Sequence, residues 1–342
     1  RDNGAFMKKH IYIYSPSGAV RDKAAFKRGI ARLKTLGHEV EVDEAALASH
    51  LRFAGDDDTR LAAIRRAAAS GANVALITRG GYGLTRLLPR IDYKALGKAI
   101  DKGTQFVGMS DFTALQMAVL ARTGKVTWAG PALCEGFGVS DKADEADSHG
   151  HGSHENHGPD EIMEACFDDM ITGQGEGAGW RQWRETAPSA IASIADAVTS
   201  KMAVGTFTVK NATLWGGNLA VLSSMAGTPF LPQVKGGILF LEDVAEHPYR
   251  IERMLTQLLH AGILNAQKAI VLGQFTEYKL GAHDKGFKLA TVVNWLRSQV
   301  KARVLTNLPF GHVPTKVLLP VGSHVDLAVE GRDAFLLWGH HH

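Results

Sequence analysis

The sequence predicts an α/β protein of two domains, the first built on a doubly wound parallel sheet and the second a smaller, mixed α/β unit. The length of 342 residues favours two domains over one. Short apolar runs alternate with amphipathic stretches over residues 7–138, and ordered periodicity returns over 201–338. Strands that alternate with helices are typical of a parallel sheet covered on both faces.

The first βα unit begins with the apolar run His10–Ser15 and continues into a helix with its apolar residues on one face. That face carries Phe26, Ile30, Leu33 and Leu36. Three more strands and a helix are predicted before residue 138 by the same reasoning. The strands are His38–Val42, Asn73–Thr78 and Gln105–Met109, and the Ala-rich helix is Thr59–Ser70.

The periodicity fails over residues 139–200, which we interpret as a linker with a His- and Gly-rich loop. This loop contains four closely spaced histidines, His149, His151, His154 and His157. Imidazoles at such spacing are able to bind zinc or nickel, but a mobile loop of this kind favours adventitious binding over a functional metal site. No metal site is therefore predicted.

Ordered elements of the second domain are separated by Gly and Pro turns. The segments expected to be ordered are 202–209, 216–227, a strand over 237–241, a helix over 249–259 and a strand over 269–272. Short strands are expected in the tail at 304–308, 317–319, 325–329 and 334–338.

Composition excludes several classes of protein. The formal charge of +3 comes from 38 basic and 35 acidic residues without a long cationic run, so nucleic acid is not an expected partner. No window approaches the roughly 18 apolar residues of a membrane span.

Two cysteines, Cys134 and Cys166, cannot form a disulfide framework, and with no signal-peptide core they indicate a cytoplasmic setting. The segments 1–6 and 340–342 are interpreted as vector remnants.

Ser110 stands between an apolar strand and a helix, with Gly108 leaving room for a sharp turn. This arrangement is typical of a nucleophile elbow, in which the hydroxyl projects from the strand end and amides of the following helix stabilise an oxyanion. Asp111 is a candidate to supply one such amide. The alternative is that Ser110 only caps the helix, and Phe112 breaks the usual G-x-S-x-G pattern.

A glycine-rich loop, Arg79–Gly83, follows the predicted strand Asn73–Thr78. Glycines there allow backbone amides to approach an anion or an oxyanion, although a plain tight turn explains them equally well. The loop lacks the Gly-Lys-Ser/Thr ending of a P-loop, and no G-x-G-x-x-G follows the first strand. A nucleotide cofactor is therefore not predicted.

Two carboxylates and a histidine complete the candidates. Glu242 and Asp243 end an apolar strand, where either is able to orient an imidazole or to be merely solvated. His312 lies between prolines in a loop that would hold a general base rigidly. His260 and His324 compete with it, in less rigid surroundings.

Seven motifs in order resemble those of the serine LD-carboxypeptidases, also called muramoyltetrapeptide carboxypeptidases, a family that includes the microcin C resistance peptidases. The resemblance covers nearly the whole chain. The motifs are Ser15-Pro-Ser-Gly18, Arg79-Gly-Gly-Tyr-Gly83 with Leu87-Leu-Pro, Gly108-Met-Ser-Asp111 with Thr113-Ala-Leu, Gly130-Pro131, Gly216-Gly-Asn-Leu219, Leu241-Glu-Asp-Val244 with Tyr249-Arg, and Pro309-Phe-Gly-His312.

The resemblance implies a Rossmann-like or flavodoxin-like N-terminal domain carrying the nucleophile, a C-terminal domain carrying Glu and His, and commonly a homodimer. It implies a triad of Ser110, Glu242 and His312, with backbone amides of Gly81 and Asp111 forming the oxyanion hole. No metal or organic cofactor is implied. The implied substrate is a cytoplasmic murein tetrapeptide that loses its terminal D-Ala.

Three residues are expected to bind the substrate. A bidentate arginine is the usual partner of a terminal carboxylate, and Arg79 is the candidate, with a surface ion pair as the alternative. Trp180 and Trp183 end the middle segment. If these rings stack on a nucleotide base, as expected for the microcin C branch, the substrate is an aminoacyl or peptidyl nucleotide instead. A non-catalytic binding protein of the same fold is a further alternative.

Overall fold

The structure is a computed structural model that describes residues 8–140, 158–184 and 206–339. Its first sheet has six strands, β1 (His10–Tyr14), β2 (Glu39–Val42), β3 (Val74–Ile77), β4 (Gln105–Gly108), β5 (Thr127–Ala129) and, from near the C-terminus, β11 (Leu319–Val321). Their order in the sheet is β11-β5-β4-β3-β1-β2.

The five strands from the first half of the chain are all parallel to their neighbours. Read from one edge, their order is 2-1-3-4-5, which is the flavodoxin-like version of the doubly wound sheet. Every residue of β3 is buried, as expected of a continuous apolar run inside a parallel sheet. The predicted fold class of this part is confirmed.

The sixth strand departs from the expected all-parallel sheet. The tail segment predicted as a strand over 317–319 forms its strand slightly later, at β11, and pairs antiparallel with β5. An unpaired β5 would leave a row of free backbone groups at the sheet edge, and β11 covers them with a fully buried strand. A segment from the end of the chain thus completes the first sheet.

The second sheet has seven strands, β6 (Gly177–Arg181), β7 (Phe207–Asn218), β8 (Ile238–Val244), β9 (Ala269–Thr276), β10 (Arg303–Leu305), β12 (His324–Glu330) and β13 (Asp333–Leu337). Their order is β10-β9-β8-β7-β12-β13-β6. Strands β7 to β10 are parallel, whereas β12, β13 and β6 are antiparallel. The second part of the chain is thus α/β, as predicted, and its sheet is mixed.

Helices cover the sheets, and several begin at an aspartate whose carboxylate accepts a backbone N–H of the first turn. Asp22, Asp56, Asp92 and Asp160 cap in this way. None of the described helices is long and apolar enough to cross a membrane. The helices are α1 (Lys23–Thr35), α2 (Asp57–Ala69), α3 (Leu84–Leu87), α4 (Tyr93–Asp101), α5 (Thr113–Thr123), α6 (Glu161–Thr172), α7 (Leu219–Ser224), α8 (Pro248–His260) and α9 (Leu289–Gln299).

The interpretation of 139–200 as a linker is wrong for two segments. Helix α6 buries Met163, Phe167 and Met170 in the core beside β1, and β6 pairs with β13 at the edge of the second sheet. The sequence did not predict this short amphipathic helix because Gly- and His-rich segments surround it. It did not predict β6 because two of the five residues of this strand are glycine. The four histidines of the loop lie outside the described residues.

Candidate active site

Three loops meet at the carboxyl ends of β1, β3 and β4, where open α/β sheets bind their ligands. The Gly18 N–H donates to the carbonyl of Gly80 at 3.1 Å, which joins the first loop to the second. A Cβ placed on Gly80 would lie 2.7 Å from Cβ of Ser110, so the second loop also touches the third. Glycine is required at position 80 because a Cβ there would collide with the side chain of Ser110.

Ser110 follows β4 with φ of 63°, in the left-handed region. A residue with a side chain pays on the order of 1–2 kcal/mol for that conformation, a strain typical of functional turns. The hydroxyl of Ser110 caps neither the short 3₁₀ turn Ser110–Phe112 nor α5, each of which begins without a side-chain cap. The structure therefore favours the elbow over the capping alternative.

The carboxylate of Asp111 ties the glycine loop to the elbow. Its Oδ2 accepts the N–H of Leu84 at 3.0 Å, and the residue is 2% exposed. Burial raises the pKa of Asp111, and the amide of Leu84 offsets part of that effect. The sequence suggested a role only for its backbone. Gly81 and Gly83 in the tethered loop have φ of 113° and 138°, which explains why both are glycine.

The Gly80→Ala variant is expected to lose about 100-fold or more in kcat/KM, because a small displacement at a reacting group has an effect of that order. The added methyl would lie 2.8 Å from Oγ of Ser110 and displace it. The matched control is Gly97→Ala in α4, where the nearest atom is 3.7 Å from the new Cβ. Steady-state kinetics of the two variants make the comparison, and equal rates would contradict the proposed position of the loop.

His312 and Glu242 form a hydrogen-bonded pair in the second domain. Nδ1 of His312 donates to Oε2 of Glu242 at 2.8 Å, and the Glu242 side chain is completely buried at the end region of β8. Gly311, with φ of 144°, allows the close approach, since its Cβ would lie 3.3 Å from that same oxygen. Burial alone lowers the pKa of His312, but the hydrogen bond and charge of Glu242 outweigh it and raise the pKa.

Asp243 has other partners, so Glu242 is the carboxylate that orients His312. Asp243 accepts the N–H of Ala220 at 2.8 Å and an N–H of the Asn218 amide at 3.0 Å. Burial and the adjacent charge of Glu242 raise the pKa of Asp243 to about 6. The Asn218 amide also donates to Glu242 at 3.2 Å, while its oxygen caps α7. Sequence reasoning assigned Asn218 no role, although it lies in the Gly216–Leu219 motif.

The elbow and the second domain meet beside Ser110. The Asn218 N–H donates to Oγ1 of Thr113 at 3.0 Å, and Thr113 is the first residue of α5. Among the described residues, no hydrogen bond joins Oγ of Ser110 to His312. Hydrogen bonds of this kind are often long without substrate and tighten in the reacting complex.

The three expected substrate-binding residues lie in different surroundings. Arg79 is tied to the site loops: its Nη1 donates to the Ala19 carbonyl at 3.3 Å, and its Nε lies 3.7 Å from Glu135. Trp180 is only 9% exposed, and its Nε1–H donates to the Thr306 carbonyl at 3.0 Å. Trp180 thus supports the chain leading to His312 from inside the core. Trp183 is half-buried and packs against the hydrophobic core.

Known protein domains match the two halves of the chain separately. Residues 11–130 match the N-terminal domain of LD-carboxypeptidases, and residues 211–327 match the C-terminal domain. The crystal structure of a muramoyltetrapeptide carboxypeptidase from Oxalobacter formigenes is 36% identical, with a TM-score of 0.78, and the match covers 97% of this chain and 99% of that one. The chain belongs to the LD-carboxypeptidase family.

Two further relatives of this chain bear different names. A probable murein peptide carboxypeptidase of Bacillus subtilis is 27% identical over 85% of this chain and 80% of its own length. The microcin C7 self-immunity protein MccF of Escherichia coli is 26% identical over 74% of this chain and 70% of its own length. The family therefore contains members named for more than one task.

Proposed function

We propose that this LD-carboxypeptidase is a serine peptidase that removes the terminal D-Ala from murein tetrapeptides through an acyl-enzyme on Ser110. The observation that carries the proposal is the buried hydrogen bond between Glu242 and His312. A completely buried carboxylate bonded to Nδ1 fixes the ring and leaves Nε2 as the nitrogen that takes a proton. The strained Ser110 supports it as the matching nucleophile.

In the proposed reaction, Oγ of Ser110 attacks the scissile carbonyl carbon while Nε2 of His312 takes its proton. The backbone amides of Gly81 and Asp111 stabilise the oxyanion. The C–N bond then breaks as His312 returns the proton to the departing amine. Water attacks the resulting ester by the same steps in reverse, which releases the shortened peptide and restores Ser110. Glu242 stabilises the imidazolium throughout.

The substrate class is supported by the names of the Oxalobacter formigenes and Bacillus subtilis relatives. Such a substrate has a free carboxylate next to the bond that is cleaved, and Arg79 is proposed to help bind it. We further propose a cytoplasmic homodimer acting in peptidoglycan recycling. The mechanism uses protein groups alone.

A second candidate function is that of a microcin C-type self-immunity peptidase, which would cleave aminoacyl or peptidyl nucleotides. Two observations favour it: the similarity to MccF and the position of Trp183. The main-chain N–H of Trp183 donates to Oγ1 of Thr306 at 3.2 Å, which holds the backbone of this half-buried residue beside the segment that leads to His312. Trp183 is thus proposed to stack on a nucleobase, whereas Trp180 is occupied in the core.

A substrate panel separates the candidates. We expect release of D-Ala from a murein tetrapeptide, and much slower cleavage of an aminoacyl sulfamoyl adenosine, each followed by mass spectrometry in the presence and absence of EDTA. The chelator is expected to leave the rate unchanged. Faster cleavage of the nucleotide would favour the second candidate. If neither compound reacted, the binding-protein alternative would gain support.

A further inference from the structure

Lys316 is a buried cation without a bound counter-charge. It follows His312 in the loop that the Val317 N–H closes by donating to the Pro309 carbonyl at 2.8 Å. The residue is only 3% exposed. Within residues 8–140, 158–184 and 206–339, no hydrogen bond and no ion pair within 4.0 Å reaches its ammonium. Buried charges in proteins are normally paired, and burial lowers the pKa of the Lys316 ammonium.

Two of the three carboxylates whose charge acts on Lys316 are hydrogen-bonded to other groups. Its charged neighbours are Glu135, Asp160 and Glu242. Asp160 caps α6 through the Met163 N–H and accepts the hydroxyl of Thr315 at 2.6 Å. Glu242 holds His312. Glu135 therefore remains as the neighbour that is free of hydrogen bonds to described side chains.

Glu135 connects Lys316 to the other cation of the site. It lies in the short π-helix Leu133–Phe137 that follows β5, and its charged neighbours include Arg79, His312 and Lys316. The Glu135 side chain is 54% exposed, whereas that of Arg79 is 14% exposed, so this group of charges reaches solvent through Glu135. We call Arg79, Glu135 and Lys316 the charged wall. Two cations and one carboxylate leave this wall one positive charge in excess.

We propose that Lys316 binds the free terminal carboxylate of the substrate, with Arg79 and Glu135 completing the charged wall around it. The proposal rests on the proposed function, because it requires a substrate with a carboxylate beside the scissile bond. Arg79 alone would not be sufficient to bind the substrate carboxylate, because its guanidinium already donates to the Ala19 carbonyl and lies close to Glu135. A single substrate carboxylate would neutralise the excess charge.

Two chemical features make Lys316 suited to select a free acid. An ammonium in a poorly hydrated position gains more from an arriving carboxylate than one in bulk water does. A neutral C-terminal amide offers no such gain and would leave the buried charge unpaired. Lys316 is held in the same loop as His312, so a carboxylate anchored there would be fixed relative to the base.

The test compares the Lys316→Met variant with wild type on a murein tetrapeptide and on the same peptide with a C-terminal amide. Wild type is expected to prefer the free acid. In Lys316→Met, we expect kcat/KM for the acid to fall about 30- to 100-fold, the value of one charge-assisted hydrogen bond. The amide is expected to change by less than about threefold. Lys301→Met, at an exposed position, is the matched control.

Thermal unfolding without substrate provides an independent measurement. Because methionine fills a similar space without a buried charge, the melting temperature of Lys316→Met is expected to be equal to or above that of wild type. A clear fall in melting temperature, or an equal loss on both peptides, would overturn the proposal in favour of a structural role. If wild type cleaved neither peptide, the proposed function would fail. The melting temperatures of wild type and Lys316→Met would still show whether the buried lysine lowers the stability of the fold.

Discussion

The Ser110→Ala variant is expected to lose hydrolysis of the tetrapeptide almost completely, with kcat lower by about 10⁴- to 10⁶-fold. Alanine removes only Oγ and keeps Cβ and the left-handed backbone of this residue. The fold around the elbow is held by other groups, among them the hydrogen bond of Asp111 to Leu84. The loss therefore reports on the nucleophile rather than on folding. Single-turnover and steady-state release of D-Ala measure it.

The control for this experiment is Ser224→Ala at the exposed end of α7, where the rate is expected to match wild type. Circular dichroism checks that both variants are folded. A trapped ester on Ser110, detected by mass spectrometry with a slow substrate, would confirm the covalent intermediate. Hydrolysis by Ser110→Ala at the wild-type rate would refute the triad assignment and with it the acyl-enzyme mechanism.

The Glu242→Gln variant is expected to lower kcat/KM by about 10²- to 10⁴-fold and to move its acid limb to lower pH. A protonated imidazole is not a base, so wild-type activity falls as pH decreases through the pKa of His312, which lies above its usual value. Glutamine removes the charge that raises this pKa, while the opposing effect of burial remains. The pKa of His312 then falls, and the variant keeps its remaining activity at lower pH than wild type does.

Two comparisons sharpen this result. Glu330→Gln, at the exposed end of β12, is expected to leave both the rate and the pH profile unchanged. Asp243→Asn is expected to shift the acid limb in the same direction but by less, because Asp243 acts on His312 through charge without a hydrogen bond. An acid limb of Glu242→Gln that coincided with that of wild type would show that another group controls the pH dependence.

Local sequence patterns predicted most of the first sheet because parallel strands are nearly continuous apolar runs. The apolar run of β3 is the clearest case. The patterns failed for α6 and β6, where partners far along the chain decide the structure. Glycine-rich β6 has little strand propensity of its own, and it is ordered by pairing with β13. The same reason explains β11, whose partner β5 precedes it by most of the chain.

The candidate site was predictable only in part. Ser110, Glu242 and His312 were found from the order of their motifs, and the structure joins the last two by a hydrogen bond. Asn218 and Lys316 were not found. In the sequence, Lys316 resembles any polar loop residue, since its burial arises from elements that pack around it in space. No local sequence pattern indicates that a lysine will be buried without a carboxylate partner.

The return of β11 to the first sheet links the two halves of the protein. A gene divided in the middle segment would yield an N-terminal product with β5 bare at its edge and a C-terminal product carrying the strand that belongs there. The loop of His312 runs from β10 in the second sheet to β11 in the first, and the short connection 313–318 limits how far the two sheets could separate at this point.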